Sequence, residues 1–352
     1  MAGSSFGEYF CITTFGESHG EANGVIIDGI ESGFPLDIDA IQKEMDRRKP
    51  GQSDITTPRK ERDTIRVLSG LFQGKTTGAP VAMMLFNENQ ISKDYDSIAD
   101  AFRPGHGDYG YHMKYGHRDY RGGGRSSGRE TSARTAAGAA AKQLLAVRGI
   151  TVTAYTRAVH HIEAEELDLS AIESNPVRCP DVSKAREMEQ VIKEASQRGD
   201  SVGGIAECIC SSVPAGLGDP VFQKLDALLA HAMLSIGAVK GIEFGDGFRS
   251  SRCYGSQYND SIISPGIFGS NHAGGILSGI STGQDIIFRM PVRPTPSVSL
   301  IQRTIDVHGS AADIEIEGRH DPCIIPRIIP VIESMAALVL IDRFYAQFGR
   351  KS

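Results

Sequence analysis

A run of small side chains constrains this sequence more than any other feature. Ala133, Ala136, Ala137, Gly138, Ala139, Ala140 and Ala141 crowd one strongly helix-forming stretch that continues to about Val147. A helix with so slim a face lets another backbone approach it closely. The segment that feeds this helix is equally distinctive. Between Arg103 and Arg134 stand seven Arg or Lys against three Asp or Glu, together with three histidines and eight glycines. The whole chain carries a formal charge of -6, so the segment is a positive island in an acidic protein.

The first part of the island shows no workable helical or strand period, and Gly105, Gly107, Gly110, Gly116 and Gly122 to Gly124 break any element. Long structureless loops in compact domains are functional or disordered. Tyr109, Tyr111, Tyr115 and Tyr120 argue for order, since they give the loop apolar surface to bury. At its end Ser127-Gly-Arg-Glu130 matches a capping box, in which the serine oxygen and the glutamate satisfy free amides of the first helical turn. A glycine loop running into a helix N-terminus makes an anion site. The dipole contributes about 0.3–1 kcal/mol, whereas hydrogen bonds to charged groups contribute about 1.5–3 kcal/mol. Arg125, Arg129 and Arg134 therefore supply most of the binding, and the segment reads as a pocket for a multiply anionic small molecule.

Three other readings compete with that one. RGGGR at 121–125 resembles an RNA-binding RGG box, but there is a single copy in an acidic chain. Gly105-His-Gly-Asp-Tyr-Gly110 spells a dinucleotide fingerprint without the strand, turn and helix it requires. The third is a structural loop with a solvated charged face.

At 352 residues, 40% hydrophobic and 23% charged, the chain has ample material for a core. Its six cysteines include no CxxC pair, and Cys208 and Cys210 alternate in a strand-like run as buried thiols do. That usage fits a reducing cytosol. The N-terminus lacks the pattern of a signal peptide, and no run approaches the ~20 apolar residues of a membrane span. The expectation is a cytoplasmic protein that binds neither membrane nor nucleic acid.

Taken in order, Phe15-Gly-Glu-Ser-His-Gly20 brackets three polar residues between glycines, as where backbone approaches a ligand. Gly24 to Ile30 reads as a strand. Asp37 or Asp39 caps a helix carrying Ile38, Ile41 and Met45, with Arg47, Arg48 and Lys49 at its negative end. Strands are expected over Thr64–Leu71, Pro80–Phe86, Gly149–Val159, Val202–Val213 and Asp285–Met290. A helix is expected over Lys184–Arg198. Asp219-Pro220 reads as an N-cap and N1 proline opening another, with His231 in its core. Three prolines hold Arg293 and Thr295 in a rigid exit loop. Ile328 to Phe348 forms a long apolar helix. No linker interrupts the chain, so residues 1–352 are read as one domain of mixed helix and strand, an α+β fold with long functional loops.

Polar clusters flanked by glycine recur at 16–20, 103–129, 270–283 and 293–321. They offer Arg, His, Ser, Asn and one Asp, without a GxSxG elbow, HExxH or Walker loop. That inventory binds phosphate and carboxylate groups and moves protons, with histidines suited to the second task. From residues alone the reading ends at an enzyme acting on a phosphorylated or polycarboxylate small molecule, with a phosphate-bearing cofactor among the options.

Assembled in order, these strings closely resemble the chorismate synthase family over essentially the whole chain. The resemblance rests on FGESHG at 15–20, RRKPGQS at 47–53, FRPGHGDY at 102–109, YRGGGRSSGRET at 120–131, VPAGLGDP at 213–220, AVKGIEFGDGF at 238–248, SNHAGGI at 270–276, RPTPS at 293–297 and GRHDPC at 318–323.

The resemblance implies a β-α-β sandwich with helices packed between antiparallel sheets, usually assembled as a homotetramer. It implies a lyase of the shikimate pathway that removes phosphate and a ring hydrogen, anti and 1,4, from 5-enolpyruvylshikimate 3-phosphate. Reduced FMN is needed although no net redox change occurs. The departing C–H is hardly acidic, and a reduced flavin can lend electron density as phosphate leaves. By position, Arg48, Arg103, Arg129 and Arg319 clamp the substrate's anionic groups with Ser18 nearby. His19 acts as acid toward the leaving phosphate, His106 keeps the flavin in its correct protonation state, and Asp321 helps remove the ring proton through the flavin N5.

The implied FMN positions are Arg125, Ser126, Ser127, Gly237, Ala238, Ser278, Arg293, Pro294, Thr295, Pro296, Ser297 and Arg319. Arg48 also falls at an NADP position, so NADPH or a separate flavin reductase is a candidate source of electrons. Asp54, where a basic residue is common, weakens a second phosphate contact. Gly107 and Gly128 stand in place of alanines, Ser278 in place of a glycine and Arg293 in place of a lysine. A flavin oxidoreductase with true hydride transfer is the enzymatic rival, and an RNA-binding module is the rival from another class.

Overall fold

The computed structural model describes residues 3–57, 59, 61–88, 99–316 and 320–350. Two five-stranded antiparallel sheets enclose a layer of helices. The first sheet contains β1 (Ser5–Phe6), β2 (Cys11–Gly16), β3 (Ala22–Asp28), β4 (Arg66–Ser69) and β5 (Val81–Phe86), in the order β1-β2-β3-β5-β4. The second contains β6 (Thr151–Val159), β7 (Ile162–Glu163), β8 (Gly204–Ser211), β9 (Glu243–Phe244) and β10 (Ile286–Val292), in the order β9-β10-β8-β6-β7. Strand alternation dictates what each sheet turns inward. Val25 faces Met83 across β3 and β5, while Cys208 stands opposite both Ala154 and Phe288; all five are buried.

Among the described residues six α-helices exceed a single turn: α1 (Ile38–Arg48), α2 (Asp108–Tyr115), α3 (Thr131–Ala146), α4 (Val182–Gln197), α5 (Leu225–Leu234) and α6 (Ile325–Phe348). The alanine-rich α3 touches β2, β3 and β5 on one side and β6 and α6 on the other. The long α6 is buried from Ile325 through Tyr345 apart from Arg327, and it lies on β6 and β8. The α+β sandwich implied by the sequence is therefore the one observed, and one continuous apolar cluster runs from Phe10 to Tyr345. No helix among the described residues is long and apolar enough to cross a membrane.

The contact between α3 and α6 needs a missing side chain. A Cβ on Gly138 would overlap Ser334 Cβ and press on its Cα, so only glycine permits this approach. One turn away, the buried Glu333 carboxylate receives Arg47 of α1 at 2.6 Å, Lys142 of α3 at 2.8 Å and the Ala154 amide of β6 at 3.1 Å. Burial pushes the Glu333 carboxyl up, but Lys142 and Arg47 outweigh it and hold it down to about 2. A single side chain thus joins three helices to the second sheet.

Several local expectations are corrected. The island is not devoid of helix: Gly107 and Gly116, the latter left-handed at φ 69°, bracket α2, so glycines that look like breakers serve as its caps. Tyr109, Tyr111 and Tyr115 lie largely outward on it rather than buried. The capping box does not form, because Ser127 accepts from the Arg129 amide while Glu130 pairs with Arg134 at 2.8 Å, and a 3-10 turn precedes α3. The helix expected from Asp219 begins only at Leu225; Asp219 and Gln223 bond each other's backbone in a tight turn, and Phe222 is exposed. His231 is exposed on α5 rather than in the core. The strand expected over Thr64–Leu71 breaks at Gly70, whose φ is 82°.

Replacing Gly138 with Ala should lower unfolding free energy by about 1–3 kcal/mol, the usual scale of overpacking, as read by urea denaturation. An unchanged midpoint would show that α3 and α6 can separate without loss.

Candidate active site

Consecutive glycines form the floor on which the two implicated histidines meet. Gly122 and Gly123 both have positive φ, and their alpha carbons are about 3.8 Å apart. A Cβ on Gly122 would strike the His19 ring, and one on Gly123 would lie 2.6 Å from His106 Cε1. The RGGG turn thus brings together imidazoles separated by more than eighty residues. Ser18 Oγ lies 3.2 Å from His19 Nδ1, and both residues are buried.

Further loops close on this floor. Asn87, at the end of β5, donates to the Glu17 and Gly20 carbonyls at 3.0 and 2.8 Å, fastening the turn that carries His19. Its side-chain oxygen accepts from Arg129 Nε at 2.7 Å. Arg129 also pairs with Asp63, whose other oxygen holds Arg48 at 2.5 Å. Asp63 is therefore a buried carboxylate shared by two buried guanidiniums, from a residue at φ 52°. Burial favours the neutral acid, but Arg48 and Arg129 hold its pKa down to about 2. Burial, together with Arg327 and Arg129 nearby, pushes Arg48 down to about 10 despite the attraction of Asp63.

Asp321 joins the same network from the start of α6. It accepts the Thr57 amide at 2.9 Å and pairs with Arg327, whose Nε reaches the Arg48 carbonyl at 3.5 Å. On the other side, Arg103 Nε and Nη2 grip Asp108 at 2.7 and 2.8 Å, and His106 Nδ1 lies 2.9 Å from the same carboxylate. A Cβ on Gly105 would lie 3.1 Å from Pro296, so the 293–297 loop borders the histidine segment. The Arg293 amide donates to the Ala238 carbonyl at 3.0 Å, next to Gly237.

His19, His106, Asp321, Ser18, Arg48, Arg103 and Arg129 are thus linked by one chain of contacts. Pro296 and Arg293 reach the cluster at Gly105, and Ala238 is tied to the same loop through the Arg293 amide. Ser126 donates to the Gly123 carbonyl at 2.7 Å and Ser127 caps the following turn, so both shape the floor. Arg125 is engaged with Thr14 Oγ1 at 2.8 Å and with the Gly16 carbonyl at 3.2 Å, tying the floor to β2. Among the described residues no hydrogen bond joins Ser278 to the cluster, and its hairpin (Ile276–Leu277, Ile280–Ser281) receives the Leu225 amide at the Gly279 carbonyl. Arg319 lies outside the described residues.

Sequence reasoning missed Asp63, Asn87, Asp108 and Arg327. Asp108 had a signal, since it follows His106 by two residues in a turn-forming run. Asp63 and Asn87 had none, because their partners are 66 and 42 residues away along the chain.

An α+β sandwich whose loops gather arginines, imidazoles and a carboxylate belongs to the enzymes that act on small anionic molecules. Comparison with known proteins gives the particular family. The chorismate synthase sequence family matches residues 10–345. A chorismate synthase of Christiangramia forsetii is 51% identical over 351 residues, covering 99% of this chain and 98% of its own. One of Syntrophobacter fumaroxidans is 52% identical over 342 residues, covering 97% of each chain. A crystal structure of chorismate synthase superposes with a TM-score of 0.78 at 29% identity, covering 98% of this chain and 94% of its own. The chain belongs to the chorismate synthase family, and so to the lyases.

Asp63 yields a prediction with a defined sign. Its pKa falls from an ordinary 3.8 to about 2, so folding favours the ionised form. The stability it contributes is complete above 3.8 and disappears as pH falls through about 2. Asp63→Ala, which leaves two buried guanidiniums uncompensated, should cost about 3–5 kcal/mol in urea unfolding at neutral pH. The acid-induced loss of stability should be shallower in the variant than in the parent.

Proposed function

We propose that this chain converts 5-enolpyruvylshikimate 3-phosphate to chorismate by anti-1,4-elimination of phosphate, with reduced FMN bound and no net redox change. The observation that carries the reading is the packing of His19 and His106 on the adjacent glycines Gly122 and Gly123, in a network that holds the buried arginines Arg48, Arg103 and Arg129. Removing phosphate and a ring hydrogen from one molecule demands an acid at one end and a base at the other. Buried cations must also neutralise the leaving anion.

In this reading His19, backed by Ser18, protonates the departing phosphate. Asp321, oriented by the Thr57 amide and Arg327, helps remove the ring proton. Arg48 and Arg129 hold the anionic groups, with Arg103 and Arg319 in supporting places. Arg48 Nε is buried without a partner, so it has a donor still to offer.

The residues present fit a flavin with a phosphate tail. Thr295 Oγ1 is buried and unpartnered in the 293–297 loop, which borders the histidine segment at Gly105. Ser126, Ser127, Gly237, Ala238, Arg293, Pro294, Thr295, Pro296 and Ser297 would hold the group, with Arg125, Ser278 and Arg319 completing the family's set. Reduced FMN, when bound, supplies electron density to the allylic system as the C–O bond weakens. His106 would keep the bound flavin in its correct protonation state.

The continuous core supports treating residues 1–352 as one domain. Family membership supports a cytoplasmic homotetramer, with electrons coming from NADPH near Arg48 or from a separate flavin reductase.

Anaerobic assay with photoreduced FMN tests the proposal. Phosphate and chorismate should appear together, only with reduced flavin, and without stoichiometric consumption of NADPH. Consumption of one NADPH per product would replace this reading with hydride transfer. His19→Ala and His106→Ala should each lose about 100-fold or more in turnover while still binding substrate, the scale of general acid–base contributions.

A further inference from the structure

His106 does not stand alone in its loop. Asp108 is buried, lies 2.9 Å from His106 Nδ1, and is gripped by Arg103 through Nε at 2.7 Å and Nη2 at 2.8 Å. The Arg103 backbone amide donates to the same carboxylate at 3.1 Å, and Arg118 Nη1 approaches it at 3.7 Å. Burial alone would push the Asp108 carboxyl up, but the bonds from Arg103 and His106 hold it well below the ordinary carboxylate range.

An ionised carboxylate has no hydrogen to give, so the hydrogen between it and the ring must sit on Nδ1. Arg103 Nη2 is also 3.2 Å from Nδ1, but a ring nitrogen that accepted from Arg103 would point its lone pair at a carboxylate oxygen 2.9 Å away. The two arrangements exclude each other, and electrostatics selects the first.

We infer that Asp108 is the positioning residue for His106, fixing its tautomer with hydrogen on Nδ1 and its ring plane against Gly123, with Arg103 acting through Asp108. Nε2 is then the nitrogen left to take up and return a proton. In the rejected tautomer Nε2 carries the hydrogen and can only donate. A Cβ at Gly123 would lie 3.0 Å from Nε2, so the ring packs directly on that glycine. The role assigned to Arg103 changes with this inference. Its fork is directed to a carboxylate of its own loop, and it holds that carboxylate ionised. The inference rests on the proposed function only for what the positioned nitrogen does, since the tautomer itself is a property of the folded chain.

Nitrogen-15 NMR of the wild-type protein, with the His106 signals assigned by comparison with His106→Gln, tests the tautomer directly. Hydrogen on Nδ1 across neutral pH is expected, and hydrogen on Nε2 would overturn the inference whatever any variant does. Asp108→Asn should move the hydrogen to Nε2 and lower kcat by about 100-fold with KM little changed, the scale of one acid–base group. Asp108→Glu, which restores the acceptor, should recover the wild-type tautomer and part of kcat. Unchanged kcat in a folded Asp108→Asn would also overturn the inference. A shifted tautomer together with full activity in His106→Ala would instead sink the catalytic reading of His106 and leave the positioning intact.

Discussion

The architecture depends on how closely two helices can approach between two sheets. Gly138 gives Ser334 room, and beside that contact Glu333 collects a lysine, an arginine and a strand amide. A buried carboxylate so surrounded is costly to break and indifferent to replacement by a well-packed apolar group. Its merit here is geometric. Glu333 needs α1, α3 and β6 in fixed places before its bonds are made, a geometric demand that apolar contacts do not impose.

That layer explains where the site lies. Arg48 sits in the last turn of α1, Arg129 just before α3 and Asp321 just before α6. Once the helices are locked together, their ends carry the charged residues to one place, and the loops need only supply imidazoles and glycines. The floor at Gly122–Gly123 accomplishes the rest: with no side chains of its own, it lets His19 pack on one glycine and His106 on the next.

Much of this was legible before any coordinates. Periodicity located α1, α3, α4 and α6 to within a few residues, because each has a strong apolar or small-residue face. The alternating thiols of β8 pointed inward as expected. What failed was punctuation. Gly107 and Gly116 looked like breaks and are helix caps, and Asp219-Pro220 looked like a helix start and is a turn whose helix waits for Leu225. A glycine permits a left-handed residue without saying which side of an element it closes. The site divides in the same way. Its histidines and arginines stand in recognisable strings, whereas Asp63 and Asn87 matter only through partners distant in sequence, which no local pattern encodes.

The sharing of Asp63 by Arg48 and Arg129 has a further result. Long cationic side chains ordinarily lose rotamer freedom when a ligand arrives, and that loss subtracts from affinity. Here the loss has already occurred on folding, so the guanidiniums stand ready in the resting protein. The same carboxylate tempers the positive potential they present. In the proposed reaction such a preset yet half-neutralised pair would capture the substrate's anionic groups and still release them.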